Sequence, residues 1–227
     1  MRHIVLVLLC MVASPDSHAV SLSDLSDKEA VSGLKEALNQ GATSAVGKLG
    51  KQDGFLGNPQ VKIPLPDSLQ KADHVLSRFG MGKYTQELEV SMNRAAELAV
   101  PEAKTLLLNA VKQMTVQDAK NILTGGNTAA TDYFRGKTSQ PLAEKFLPIV
   151  RQATAKVQLA QKYDEFAGKA ARFHLLDEKQ ANLEQYVTQK ALDGLFYMIG
   201  EEEKAIRADP VGQANKLLKK VFGSLLN

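Results

Sequence analysis

Apolar residues recur every three or four positions along most of the chain, which is the spacing that one face of an α-helix produces. In the first such stretch, Ser26 and Glu29 have the spacing of a capping box, and Gly50 follows the last apolar position. This pattern predicts a helix between them. Its apolar positions are Val31, Leu34, Leu38, Ala42, Ala45 and Leu49.

Glycine and proline interrupt the helical pattern between residues 50 and 66, where the sequence reads GKQDGFLGNPQVKIPLP. Three glycines and three prolines are incompatible with a helix. The alternation at residues 61–63 indicates a short extended piece, which must lie against the helical body because a lone strand is unstable. Two interpretations are open: an inert connection across the helices, and a functional loop.

The remaining segments predict further helices. Pro141 is expected to open one of them and Pro148 to kink it, because proline lacks the amide hydrogen of a helix interior. Glu201–Glu203 is interpreted as the acidic first turn of a helix. The fold class is therefore all-α: a single bundle-like domain over residues 20–227, with an extended Gly/Pro-rich loop at 50–66. The predicted helices cover about residues 67–79, 84–99, 101–114, 116–123, 128–135, 141–168, 183–198 (capped by Asp177 or Asn182) and 210–225.

Residues 1–19 have the three-part layout of a secretory signal peptide. Arg2 supplies a positive charge, residues 4–13 are an unbroken apolar run, and Ala19 ends a small-residue cleavage site. This run is about half of the ~20 residues that a membrane-spanning helix needs. We expect cleavage after Ala19 and a periplasmic protein without a lipid anchor, because Cys10 lies inside the apolar run and lacks a lipoprotein signal around it.

Composition narrows the classes of function. The chain has 227 residues, is 44% hydrophobic and has a net charge of +3, as ordinary globular proteins do. Cys10 is its one cysteine, so the mature chain would have no disulfide and no thiolate metal site. Scattered lysine and arginine and the lack of tryptophan argue against a nucleic-acid partner. Lys216, Lys219 and Lys220 flank an apolar stripe, but peripheral membrane contact is less favoured than a core role.

Patterns of known catalytic sites do not stand out in the mature sequence. His74 and His174 are far apart and have no partner at metal-ligand spacing, so no metal, cofactor or catalytic residue is assigned. The segment 125–135 offers polar groups and free amides at a helix start, where an anion can bind. An enzyme of hydrolase type stays open as an alternative if acid/base groups converge in the fold. Its candidates are Asp132, Tyr133 and Arg135.

Several segments together resemble an exported proteobacterial family catalogued only as a domain of unknown function. The resemblance covers essentially residues 22–227 and implies a Gram-negative envelope location and a mostly helical fold. It implies no activity, cofactor or catalytic residue. The segments that carry it are DGFLGNPQVKIPLP (53–66), MNRAAE (92–97), DA with IL (118–123), AATDYFR (129–135), ALDGLF (191–196), EE with IR and Pro210 (202–210) and LLKKVFG (217–223).

Our leading hypothesis is a non-enzymatic binding module, whose partner is an envelope protein or an apolar small molecule. Phe55 and Leu56, on a glycine-flanked turn, are expected to be exposed and to contact that partner. The pattern gives no indication of the oligomeric state. The candidate binding residues are Asp53, Phe55, Leu56, Asn58, Asn93, Arg94, Asp132, Tyr133, Arg135 and Arg207.

Overall fold

The computed structural model describes residues 27–171 and 182–208. The expected signal peptide, Ser26, His174, Asp177 and the predicted helix at 210–225 lie outside these residues. The described residues contain no strand, which confirms the all-α prediction. The helices are α1 (Asp27–Leu49), α2 (Asp67–Arg78), α3 (Gly82–Ala99), α4 (Ala103–Gln113), α5 (Val116–Thr124), α6 (Ala129–Lys156), α7 (Leu159–Ala171) and α8 (Leu183–Ala208), with a 3-10 helix at Val100–Glu102.

The buried apolar side chains form one cluster to which every helix contributes. α6 and α8 pack most extensively on each other, α3 packs against α6 and α7, and α1 packs against α4 and α8. The apolar positions that helical spacing predicts for α3 are all 0% exposed: Leu88, Met92, Ala95, Ala96 and Ala99. None of the described helices is long and apolar enough to span a bilayer.

Side-chain caps confirm two of the predicted helix starts. Thr115 and Asp118 form a reciprocal capping box at α5, in which backbone and side-chain hydrogen bonds from Thr115 lower the pKa of the Asp118 carboxyl. Asn182 accepts a hydrogen bond from the Gln185 amide at 3.0 Å at the start of α8. The sequence predicts Asp67 as the cap of α2, which is wrong, because Asp67 is the first residue of the helix and the preceding Pro66 provides no side-chain cap.

The expected break at Pro141 is wrong, because α6 runs through both Pro141 and Pro148. Both proline rings are exposed, so neither enters the packed face of the helix. That face continues past them with Leu142, Phe146 and Val150 fully buried. The chain breaks instead at Gln158, whose φ of +53° lies in the left-handed region and ends the helical path.

The segment 50–66, which we call the strap, crosses α3 and α8 as turns over residues 50–61 followed by non-helical chain. Val61, Ile63 and Leu65 are buried, whereas the intervening Lys62 and Pro64 are exposed. The alternation predicted for 61–63 is therefore present, although no neighbouring strand pairs with it within the described residues.

Candidate functional site

The inner side of the strap is anchored in the core by Phe55. Its side chain is 0% exposed, so the expectation that it faces solvent is wrong. The ring packs against α8 at Gly194, where an added Cβ would lie 2.8 Å from Phe55 Cε1. The absence of a side chain at Gly194 makes room for the ring. Leu56, the next residue, is only half-buried.

Asn93 of α3 provides the strap with the hydrogen bonds that a neighbouring strand would provide. Its Oδ1 accepts from the Ile63 amide at 2.8 Å, and its Nδ2 donates to the Ile63 carbonyl at 2.9 Å. Nδ2 also donates to the Glu89 carbonyl at 2.8 Å, and the side chain is completely buried. A buried amide with these partners holds Ile63 in register, because each lost bond would leave a polar group unsatisfied.

Glu97, one helical turn further along α3, holds the turn of the strap. Its Oε1 accepts from the backbone amides of Phe55 and Leu56, each at 3.1 Å. Its Oε2 accepts from Arg94 at 2.6 Å, and Arg94 also donates to Asp53 at 2.8 Å. Hydrogen bonds to Glu97 and then Asp53 raise the pKa of Arg94 above its ordinary value. The guanidinium thus stays charged and balances the buried carboxylate.

The outer side of the strap is fixed by hydrogen bonds to α8 and within the turn. Tyr197 Oη donates to Gln60 Oε1 at 3.1 Å, and Tyr186 Oη donates to the Pro64 carbonyl at 3.1 Å. Asn58 Oδ1 accepts from the Gln60 amide at 3.1 Å. Burial raises the pKa of Tyr186, so its hydroxyl remains a donor over the physiological range. Pro59, Gln60 and Pro64 are exposed on this side, which we call the strap surface together with Tyr186 and Tyr197.

A second buried carboxylate occupies the helix start whose amides could bind an anion. Glu203 of α8 accepts from the amides of Ala130 and Thr131 at 2.9 Å each, and from Thr131 Oγ1 at 2.8 Å. Arg207 pairs with Glu203 at 2.9 Å and donates to the Ile122 carbonyl at 3.0 Å. The amides of α6 are therefore satisfied by the protein itself. The interpretation of Glu201–Glu203 as a first turn is wrong, since all three lie inside α8.

Asp132, Tyr133 and Arg135 do not converge. Asp132 accepts from Thr128 at 3.1 Å within its own turn. Tyr133 Oη donates to a carbonyl of α4, and burial raises its pKa. Arg135 lies 4.8 Å above the Phe196 ring of α8. These side chains contact three different neighbours, so the structure does not assemble the acid/base group of the enzyme alternative. The described residues also contain no group of His, Cys, Asp and Glu suited to a metal ion.

A family model matches residues 24–223. The chain belongs to the family described as "Protein of unknown function (DUF4197)". No curated protein and no solved structure matches the chain. The DUF4197 match covers the strap and every described helix, so its span agrees with the resemblance noted in the sequence.

Sequence reasoning missed three residues that organise this DUF4197 protein. Glu97, Gly194 and Glu203 lie inside the segments that carried the resemblance, but periodicity does not separate a buried carboxylate from a solvated one. The polar candidates Asp53, Asn58, Asn93, Arg94 and Arg207 use their side chains within the protein. Their expected role in ligand binding stays a prediction.

Two glycine-to-alanine substitutions, one in α8 and one in α1, should have opposite effects on the free energy of unfolding. We expect Gly194→Ala to lower the free energy of unfolding by about 1–3 kcal/mol, because its Cβ would clash with Phe55. We expect Gly41→Ala in α1 to raise it by up to about 1 kcal/mol, since alanine favours a helix. Its Cβ would be 3.5 Å from Glu202 Cβ, an ordinary contact. Urea denaturation measures both, and equal effects would contradict the docking of Phe55 against Gly194.

Proposed function

We propose that this protein is a non-enzymatic interaction module of the bacterial envelope, and that the strap surface binds a protein partner. The observation that carries this proposal is the support beneath the strap. Buried side chains of α3 hold its backbone through Ile63, Phe55 and Leu56. A non-helical segment held in this way presents its outer side in one conformation, which lowers the entropic cost of binding.

The chemistry of the strap surface suits a protein partner. Tyr197 is 38% exposed, and the neighbouring Met198 and Tyr186 are partly exposed. Tyrosine and methionine are both enriched in protein interfaces, and tyrosine buries a large area at a low cost in side-chain entropy. Pro59 and Pro64 add exposed apolar surface of fixed backbone conformation.

An apolar small molecule has less support as the partner. The apolar cavity between α1, α6 and α8, lined by Leu34, Leu38 and Phe134, has a volume of about 20 Å³. That is room for about one water molecule and not for a lipid chain.

The signal peptide expected at residues 1–19 supports the envelope location, because its removal after Ala19 would release the mature chain into the periplasm.

Site-specific photo-crosslinking in intact cells tests this proposal. A photoreactive amino acid at Gln60 should give one discrete adduct, whereas the same group at Asn109 on α4 should give none, since both sites are exposed and only Gln60 lies on the strap surface. The mass of the uncrosslinked protein should correspond to a chain that begins at Val20. Tyr197→Ala should weaken binding of the purified, identified partner by about tenfold, as interface tyrosines do. Equal adducts at both positions, or none at Gln60, would contradict the proposal.

A further inference from the structure

The strap lies on α3 and α8, and the α3 side chains beneath it bind main-chain groups. Asn93 bonds to both the amide and the carbonyl of Ile63, and Glu97 accepts from the consecutive amides of Phe55 and Leu56. Both polar side chains are buried. Every residue except proline carries the same main-chain donor and acceptor, so these two side chains would bind any extended segment that follows the same path.

α8 provides the apolar contacts to the strap. Gly194 has no side chain where the strap passes, and an added Cβ would lie 2.8 Å from Phe55 Cε1 and 3.3 Å from Val61 Cβ. Ile63, two residues after Val61, is also buried. Main-chain hydrogen bonds provide affinity for an extended segment, whereas contacts to alternate side chains provide specificity. This arrangement therefore selects an aromatic side chain followed by apolar side chains six and eight positions later.

The packing of α3 and α8 does not depend on the strap. The two helices contact each other, and both pack on α6. Within residues 27–171 and 182–208, no backbone–backbone hydrogen bond joins the strap to α3 or α8. Release of the strap would therefore break no backbone ladder and would leave a groove between the two helices, which we call the inner groove.

We propose that the inner groove is a peptide-binding site, in which the strap competes with an extended segment of a partner protein. The segment that fits carries an aromatic residue and the two apolar residues at the spacing of Phe55, Val61 and Ile63. It has no proline at the positions of Phe55, Leu56 and Ile63, whose amides donate to α3. The strap excludes such a segment while Phe55 anchors it, because a tethered ligand has an effective concentration on the order of millimolar.

Binding of a strap peptide in trans tests this proposal. The probe is a fluorescein-labelled peptide of residues 53–66, and the receptors are the mature wild type, Phe55→Ala and Phe55→Leu. We expect fluorescence anisotropy to show at least tenfold tighter binding to Phe55→Ala than to the wild type, because the truncated strap leaves space at Gly194 for the phenylalanine of the peptide. Phe55→Leu removes less buried surface and should bind with intermediate affinity. If folded Phe55→Leu bound the peptide no more tightly than the wild type, the proposal would be overturned.

Altered peptides separate recognition from non-specific apolar adhesion without changing the protein. N-methylation of the peptide at the Ile63 amide removes the donor to Asn93, and Phe55→Ala in the peptide removes the ring. Each change should weaken binding to the Phe55 variants by about tenfold, the effect of one lost interaction. Equal affinities for the native, methylated and scrambled peptides would overturn the proposal. Photo-crosslinking at Gln60 tests the strap surface separately, so either proposal can fail without the other.

Discussion

Replacing Phe55 with alanine should lower the free energy of unfolding by about 3–5 kcal/mol, the range for a fully buried phenylalanine. The side chain is 0% exposed, and its ring contacts the backbone position of Gly194 on α8. Truncation would leave a cavity beneath the strap that the surrounding helices cannot close, because Asn93 and Glu97 hold the strap backbone in place. Urea denaturation of the purified mature protein measures the loss.

Leu56→Ala is the matched control for this substitution. Leu56 is adjacent in sequence and half-buried. Its backbone amide, like that of Phe55, donates a hydrogen bond to Glu97. Because less of its side chain leaves water on folding, we expect a loss of less than about 1.5 kcal/mol. If the two variants lost equal stability, the strap would not be docked into the core through Phe55.

Glu203→Gln should destabilise the protein by about 3 kcal/mol, because it removes one partner of a buried ion pair. The side chains of Glu203 and Arg207 are only 6% and 13% exposed. The carboxylate accepts hydrogen bonds from two backbone amides and one hydroxyl at the start of α6. The NH₂ group of glutamine is a donor and would face these donors without accepting from them. Arg207 would also lose its counter-charge. Denaturation midpoints compared at constant m-value measure the effect.

Glu201→Gln on the same helix provides the control. Glu201 is 44% exposed and pairs with Lys204 at 2.8 Å on the surface. Exposed pairs of this kind contribute little, so we expect a change of less than about 0.5 kcal/mol. Similar losses in both variants would mean that Glu203 acts only through the charge of α8 and not as the cap of α6.

Glu97 and Glu203 stabilise different parts of the fold by the same arrangement. Each accepts hydrogen bonds from two consecutive backbone amides of a distant segment, at Phe55–Leu56 and Ala130–Thr131. Each also pairs with an arginine one helical turn away on its own helix. In both, the arginine places a positive charge next to the carboxylate, and hydrogen bonds between charged groups are stronger than those between neutral ones. Both sites are therefore connections within the fold.

The elements that sequence patterning predicts well are those whose signals are local. The apolar spacing of α1 and α3 and the capping box of α5 agree with the structure, because these features depend on neighbours within one or two helical turns. The prediction failed for α6, where a local rule about Pro141 was outweighed by the packing of Phe146 and Val150. The packed face continues on the side away from the exposed rings, so two missing amide hydrogens do not end the helix.

Local sequence patterns are enough to predict the all-α class, the spacing of the apolar faces and the absence of a helix from the strap. The burial of Phe55 and the capping of distant backbone amides by Glu97 and Glu203 follow only from the folded arrangement of the helices. Periodicity follows from chain geometry over a few residues. Burial and hydrogen-bond partners depend instead on which segments, often more than 40 residues apart, meet in the folded chain.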